Sequence, residues 1–239
     1  MTYTAGRLAD MLDGEVSWLS VRTASALPGP DWISCAELLA DQQNGGDPTY
    51  GWRKALEDDY GREYDIEAPV QVAAMFVLMW YVSVPSIVAG LSTALTGVSP
   101  DVSPESLAFR RHPTAHYPTD VALLSPEVVS LAKAVEQVDS HTRAFTDSYR
   151  PGVKLSSRQR LGAVEDELRG AMRVPEESLL AAAAAEAFHI RLDQQIRTSC
   201  CFVYALPNVN PCAGCPRVRS TQSAKAVGGE PVPVTSAER

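Results

Sequence analysis

"VQVAAMFVLMWYVSVPSIVAGLSTALTGVSP", residues 70–100, carries no charged side chain, and what it becomes decides the fold. A run of this length could cross a bilayer, which takes about 20 apolar residues. Pro85, with Ser83 and Ser86 on either side, interrupts it midway, and a proline inside a helix removes a hydrogen bond and kinks or ends it. The flanks, "REYDIEAP" and "DVSPES", are mostly acidic. They lack the paired Lys/Arg that orient a spanning helix. The stretch therefore reads as two shorter helices buried at the centre of a core. No transmembrane span is expected, which leaves room for a peripheral membrane contact.

Outward from this core the pattern is helical. Residues 5–12 and 31–41 read as helices, the second opened by Asp31 after "LPGP". Residues 47–64 continue as an amphipathic surface helix. In "ESLAFRRHPTAHYPTDVALLS", residues 105–125, two short apolar runs flank a turn region, which predicts a hairpin or small sheet. "SPEVVSLAKAVEQVDSHTRAF" opens on a Ser-Pro-Glu helix entry, and its Val128, Leu131, Val135 and Val138 keep helical spacing. Two more helices follow, over about 156–172 and from Pro175 to about Gln195, the latter rich in strong helix formers. The expected fold is mainly α (α+β): a helical domain over 1–196, a cysteine-rich loop over 197–216 and a polar, disordered tail over 217–239.

The chain of 239 residues has a formal net charge of −8, which argues against a dedicated nucleic-acid binder. The N-terminus, "MTYTAGRLADMLDGEV", lacks the basic-then-apolar build of a signal peptide. A cytoplasmic location follows, where closely spaced cysteines bind metal more often than they form disulfides. Cys35, in "DWISCAELL", reads as a small core residue.

The other four of the five cysteines fall in "SCCFVYALPNVNPCAGCP", residues 199–216. Pro207, Pro211 and Pro216 prevent a continuous helix there. A disulfide between neighbours would strain the peptide between them, and the Cys212-Ala-Gly-Cys215 half lacks the strand–helix setting of a redox dithiol. Four cysteinates satisfy a tetrahedral Zn²⁺, and Cys212-x-x-Cys215 is ordinary zinc-knuckle spacing. Adjacent Cys200 and Cys201, however, point their side chains apart in most backbone conformations. A dinuclear [2Fe–2S] core, taking two thiolates per iron, is gripped more easily by such a pair. Spacing favours the cluster and leaves zinc open.

"RTSCCFVYALPNVNPCAGCP" resembles the C-terminal signature of FhuF-type ferric-siderophore reductases, Cys-Cys-x10-Cys-x2-Cys, including Arg197 before the pair, Tyr204 to Pro207, and the closing Cys-Pro. Upstream, "RQRLGAVEDEL" is similar to a helical segment of that family. The resemblance implies a [2Fe–2S] cluster held by Cys200, Cys201, Cys212 and Cys215. It also implies an oxidoreductase that delivers one electron to a ferric siderophore, a hydroxamate above all, and frees Fe(II). No Gly-rich strand–helix fingerprint for NAD(P) or flavin is present, so electrons should come from a protein donor such as a ferredoxin or flavodoxin. The alternatives are an iron–sulfur sensor and a structural zinc-binding interaction protein.

Around the cysteines, Arg191, Arg197, Arg217 and Arg219 stand against one acid, Asp193. Nearby positive charge and N–H donors, for which the Ala213 and Gly214 amides are candidates, raise a cluster's potential. No catalytic residue is assigned. Arg110, Arg111, His112, His116 and Tyr117 cluster at the hairpin and could face a ligand. The His112-x3-His116 pair reads better as solvent-exposed loop residues than as a metal site. Trp80, Tyr81 and His189 read as packing residues.

Overall fold

The computed structural model describes residues 2–175, 178–212 and 214–218; the expected tail lies almost wholly outside them. Helix α1 (Ala5–Glu15) leads through strand β1 (Ser20–Thr23) and strand β2 (Ile33–Ser34) into α2 (Cys35–Gln43) and α3 (Tyr50–Tyr64). Helix α4 (Val70–Thr96) is followed by β3 (Val98–Pro100), β4 (Leu107–Arg111), β5 (Pro118–Leu123) and β6 (Val128–Ser130). Helices α5 (Leu131–Ser148), α6 (Ser157–Met172) and α7 (Leu179–Ala187) complete the fold, which is mainly α with a small β component.

The apolar stretch is one helix of 27 residues, with Pro85 inside it, rather than a pair. Pro85 forfeits the bond its amide would have donated to the Tyr81 carbonyl, a cost of about 3 kcal/mol. Each Val, Leu, Ile or Met side chain that α4 buries contributes about 1.5–3 kcal/mol. From Val72 to Ala94 nearly every position is buried, so burial outweighs the proline. Ser83 turns its hydroxyl onto the Trp80 carbonyl at 2.8 Å. By length and composition α4 could cross a membrane, but 89% of its most apolar window is buried inside the protein. It is the central post, packed against α3, α5, α6 and α7. At Gly90 the post nearly touches α6: an added Cβ would lie 3.2 Å from that of Ala171.

The predicted hairpin is present as antiparallel β4 and β5, within a four-stranded sheet of order β1-β5-β4-β2. β1 runs parallel to β5, and a second, two-stranded sheet pairs β3 with β6. The helix boundaries that differ most from expectation are three. α2 starts after Ser34, whose hydroxyl accepts the Glu37 amide, rather than at Asp31. α5 starts after the Ser130 cap, because residues 128–130 pair as a strand. α7 ends at Ala187, not near Gln195: His189 adopts a left-handed φ of 56° that turns the chain away.

Candidate metal centre

The cysteine segment is seated on α6. Gly162, Asp166, Arg169 and Arg173 recur at helical spacing, so they form one stripe of that helix. Its other buried residues, Ala163, Leu168, Ala171 and Met172, belong to the hydrophobic core. Arg169 donates from Nε to the Arg191 carbonyl at 3.0 Å, and Arg173 holds the carbonyls of Leu192 and Gln194. Asp166 accepts the amides of Thr198 and Ser199 at 2.8 and 2.9 Å and the Ser199 hydroxyl at 2.6 Å. Its side chain is 3% exposed and also pairs with Arg169 and Arg197. At Gly162 a Cβ would meet Thr198 Cγ2 at 2.9 Å and the Ser199 nitrogen at 3.0 Å. Only a bare backbone lets the segment lie this close.

Arg197 joins the two halves of the segment. Its amide donates to the Gly214 carbonyl at 2.8 Å, and its guanidinium lies 3.3 Å from Asp166 and 3.8 Å from Glu167. Burial works against its charge, and the two carboxylates more than offset that, so its pKa rises. Burial pushes the Glu167 carboxyl up to about 7 against the pull of Arg197. The Cys212-x-x-Cys215 half closes as a turn, the Cys215 amide donating to the Cys212 carbonyl at 3.0 Å. Gly214 takes φ +69° there, and a Cβ on it would strike the Gln195 carbonyl at 2.6 Å.

All four cysteines are free thiols, Cys201 and Cys215 buried and Cys200 and Cys212 half-buried. Cys201 and Cys212 approach to 3.4 Å. Sharing a proton with Cys212 draws the Cys201 thiol down and drives the Cys212 thiol up. Cys200 is pushed up by burial and feels the charges of Cys201, Cys215 and Arg217. The Cys201–Cys212 contact ties the two halves of the segment together. Among the described residues, though, no three Cys, His, Asp or Glu side chains converge as a ready-made metal site. Their chemistry suits soft metals: thiolates select zinc or iron–sulfur centres over hard cations.

Arg217 lies 4.0 Å over the Tyr204 ring and donates to its hydroxyl at 2.7 Å. Arg191 pairs with Asp193 in solvent. Arg219 and Ala213 lie outside the described residues. Cys35 is fully buried, its thiol pushed up to about 12 by desolvation. Tyr81 is buried with its hydroxyl 3.0 Å from His141 Nε2, and Trp80 stacks on Trp52; both are packing residues.

Two histidine expectations need correction. His189 is exposed rather than packed, because the chain has already left the helix. His116 is only 15% exposed and meets Asp59 at 2.9 Å through Nε2. His112 accepts the amides of Thr114 and Ala115 on Nδ1, so one ring of this pair is spent on the turn and the other on α3. The sequence reading did not single out Asp166 and Gly162; their signal was the stripe on α6.

No protein-family model matches this chain, and neither does any curated protein or solved structure.

Proposed function

We propose that this chain is a [2Fe–2S] ferric-siderophore reductase of the FhuF type, an oxidoreductase with Cys200, Cys201, Cys212 and Cys215 as the four ligands. One observation carries the reading: a Cys-Cys-x10-Cys-x2-Cys segment pinned to α6 through Asp166, with Cys201 and Cys212 in contact across it. When bound, such a centre supplies one electron at a time at a negatively charged thiolate site. Burial holds Cys200 up and the proton shared with Cys201 holds Cys212 up; against these, Arg217 pulls Cys200, and Arg197 pulls Cys201 and Cys212, towards the anion.

The substrate is a ferric siderophore, a hydroxamate first. Hard oxygen donors hold Fe(III) far more tightly than Fe(II), so one added electron releases the iron. The electron comes from a separate ferredoxin or flavodoxin, which is oxidised as Fe(III) is reduced. A cytoplasmic location, where such donors work, belongs to the same proposal, and the burial of α4 supports a chain without a membrane span.

The test begins with iron, zinc and acid-labile sulfide on anaerobically purified protein, with visible spectra before and after dithionite. Two irons and two sulfides per chain and a spectrum that bleaches are expected. Release of Fe(II) from a ferric trihydroxamate to a ferrous chelator should then depend on a reduced ferredoxin. Cys212→Ser should abolish this release and leave the helical circular dichroism intact. One zinc with no sulfide, or full turnover by Cys212→Ser, overturns the proposal.

A further inference from the structure

At the end of β4 stand two adjacent arginines, and the strand register shifts between them. Such a bulge re-aims a side chain. Arg110 is fully engaged: Nε and Nη2 reach Asp120 at 3.1 and 2.9 Å, and Nη1 reaches Asp31 at 3.4 Å. Arg111 is different. It is half-buried, its guanidinium lies 5.0 Å from the Trp52 ring centre, and no carboxylate or carbonyl among the described residues pairs with it. Burial without a counter-charge lowers its pKa. The buried Arg53 and Arg169 and the half-buried Arg160 and Arg197 all have oxygen partners.

Arg111 lines a cavity of about 390 Å³ whose other walls include Trp32, Leu38 and Trp52. Small-molecule sites start near this size and share this make-up: an apolar, aromatic surface with a few placed polar groups. We propose that this cavity binds a small organic carboxylate with a flat apolar body, the carboxylate on the Arg111 guanidinium and the body against the indoles. The planar fork of arginine matches a carboxylate through two parallel hydrogen bonds. Two exposed acids one helical turn apart, Glu37 and Asp41, stand at the same cavity. They repel a dianion such as phosphate more than a monoanion, so the singly charged ligand is favoured.

This site is independent of the cysteine segment, and its failure would leave the reductase reading standing. The probes are 3-phenylpropionate, its neutral isostere 3-phenylpropanamide, and inorganic phosphate, titrated into the full-length protein by calorimetry. Saturable binding of the acid, at least about tenfold tighter than the amide, is expected from a charge-assisted pair; phosphate should bind more weakly than the acid. Arg111→Gln should erase the preference for acid over amide with the melting temperature retained. Glu37→Gln, at an exposed position, should tighten the acid alone. Absence of saturable acid binding, equal affinity for acid and amide, tighter binding of phosphate, or an Arg111→Gln protein that still prefers the acid would each overturn the proposal.

Discussion

Replacing Asp166 by Asn tests whether α6 holds the cysteine segment through this one carboxylate. The substitution keeps shape and removes charge. One amide oxygen remains to accept, while the new NH₂ faces donors whichever oxygen it replaces: the Thr198 amide and Arg169, which is 3% exposed, on one side, or the Ser199 amide and hydroxyl and Arg197 on the other. Hydrogen bonds to a charged acceptor are worth about 1.5–3 kcal/mol each, and removing one partner of a buried ion pair costs about 3–5 kcal/mol. These terms overlap, because a displaced segment regains water, so about 3–5 kcal/mol is the expected total. The cost should fall on the segment and spare the fold, since α6 meets the core through Ala163, Leu168, Ala171 and Met172. At about 1.4 kcal/mol per factor of ten, amide exchange at Thr198 and Ser199 should accelerate by roughly 10²–10⁴-fold by local opening. Thiol labelling of Cys200 and Cys201 should accelerate with it. The melting temperature should move by far less than the about 6–20 °C that a global loss of that size gives in a chain this long. Unchanged exchange at both amides would refute the anchoring argument. A global collapse in which the whole chain exchanges together would refute its locality.

Gly214→Ala forces an L side chain to φ +69° and sets its Cβ 2.6 Å from the Gln195 carbonyl. The conformation alone costs about 1–2 kcal/mol. If the segment holds the proposed cluster, metal and sulfide content should drop several-fold while circular dichroism is retained, and full incorporation would contradict the role given to this turn. Gly162→Val should act from the other side, lifting residues 198–199 off α6; Thr198 and Ser199 exchange should rise as in Asp166→Asn, and wild-type exchange would contradict it. His141 is buried, donates from Nδ1 to the Val102 carbonyl at 2.8 Å and accepts from Tyr81, and burial lowers its pKa to about 4 from an ordinary 6.5. The unfolded chain therefore binds the proton more readily. This contribution is fully present above pH 6.5 and is lost as pH falls towards 4, about 3 kcal/mol in all. Urea midpoints from pH 7 to 4 should show this loss in the wild type and a flatter profile in His141→Gln; equal slopes would sink the assignment.

The parts of the fold that were legible in the sequence are those governed by local pattern. The uncharged run became the core, "LAF" and "VALL" became paired strands, and the helix expected over about 156–172 is α6, which a capping box of Ser156 and Gln159 opens. What escaped is set by distant partners. Pro85 stays helical because surrounding helices bury it, not because its neighbours in sequence favour that state. β1 pairs parallel to β5 across about a hundred residues, and no window of sequence contains both. α7 stops without a glycine because His189 takes the left-handed turn, letting Arg169 and Arg173 capture the chain beyond it. At the candidate site, thiol spacing was readable from residue numbers alone. The anchoring carboxylate was not, since Asp166 looks like any acid on an amphipathic helix until residues 198–199 are seen against it.

The two halves of the cysteine segment are held very differently, and that bears on how a centre would couple to folding. The first half follows directly on residues fixed by Asp166 and pressed against Gly162, so Cys200 and Cys201 are placed by α6 before any metal arrives. The second half owes its position to the Arg197–Gly214 hydrogen bond, its own tight turn and the Cys201–Cys212 contact. A group liganded by both halves would close the ten-residue loop between Cys201 and Cys212, and the closure entropy of so short a loop is modest. Were the proposed centre bound, its binding free energy would therefore go chiefly into fixing the second half of the segment, with the helical body already formed. Arg197 is the residue through which both halves communicate: its guanidinium rests on Asp166, the α6 carboxylate that holds the first, and on Glu167 beside it, and its amide holds the second.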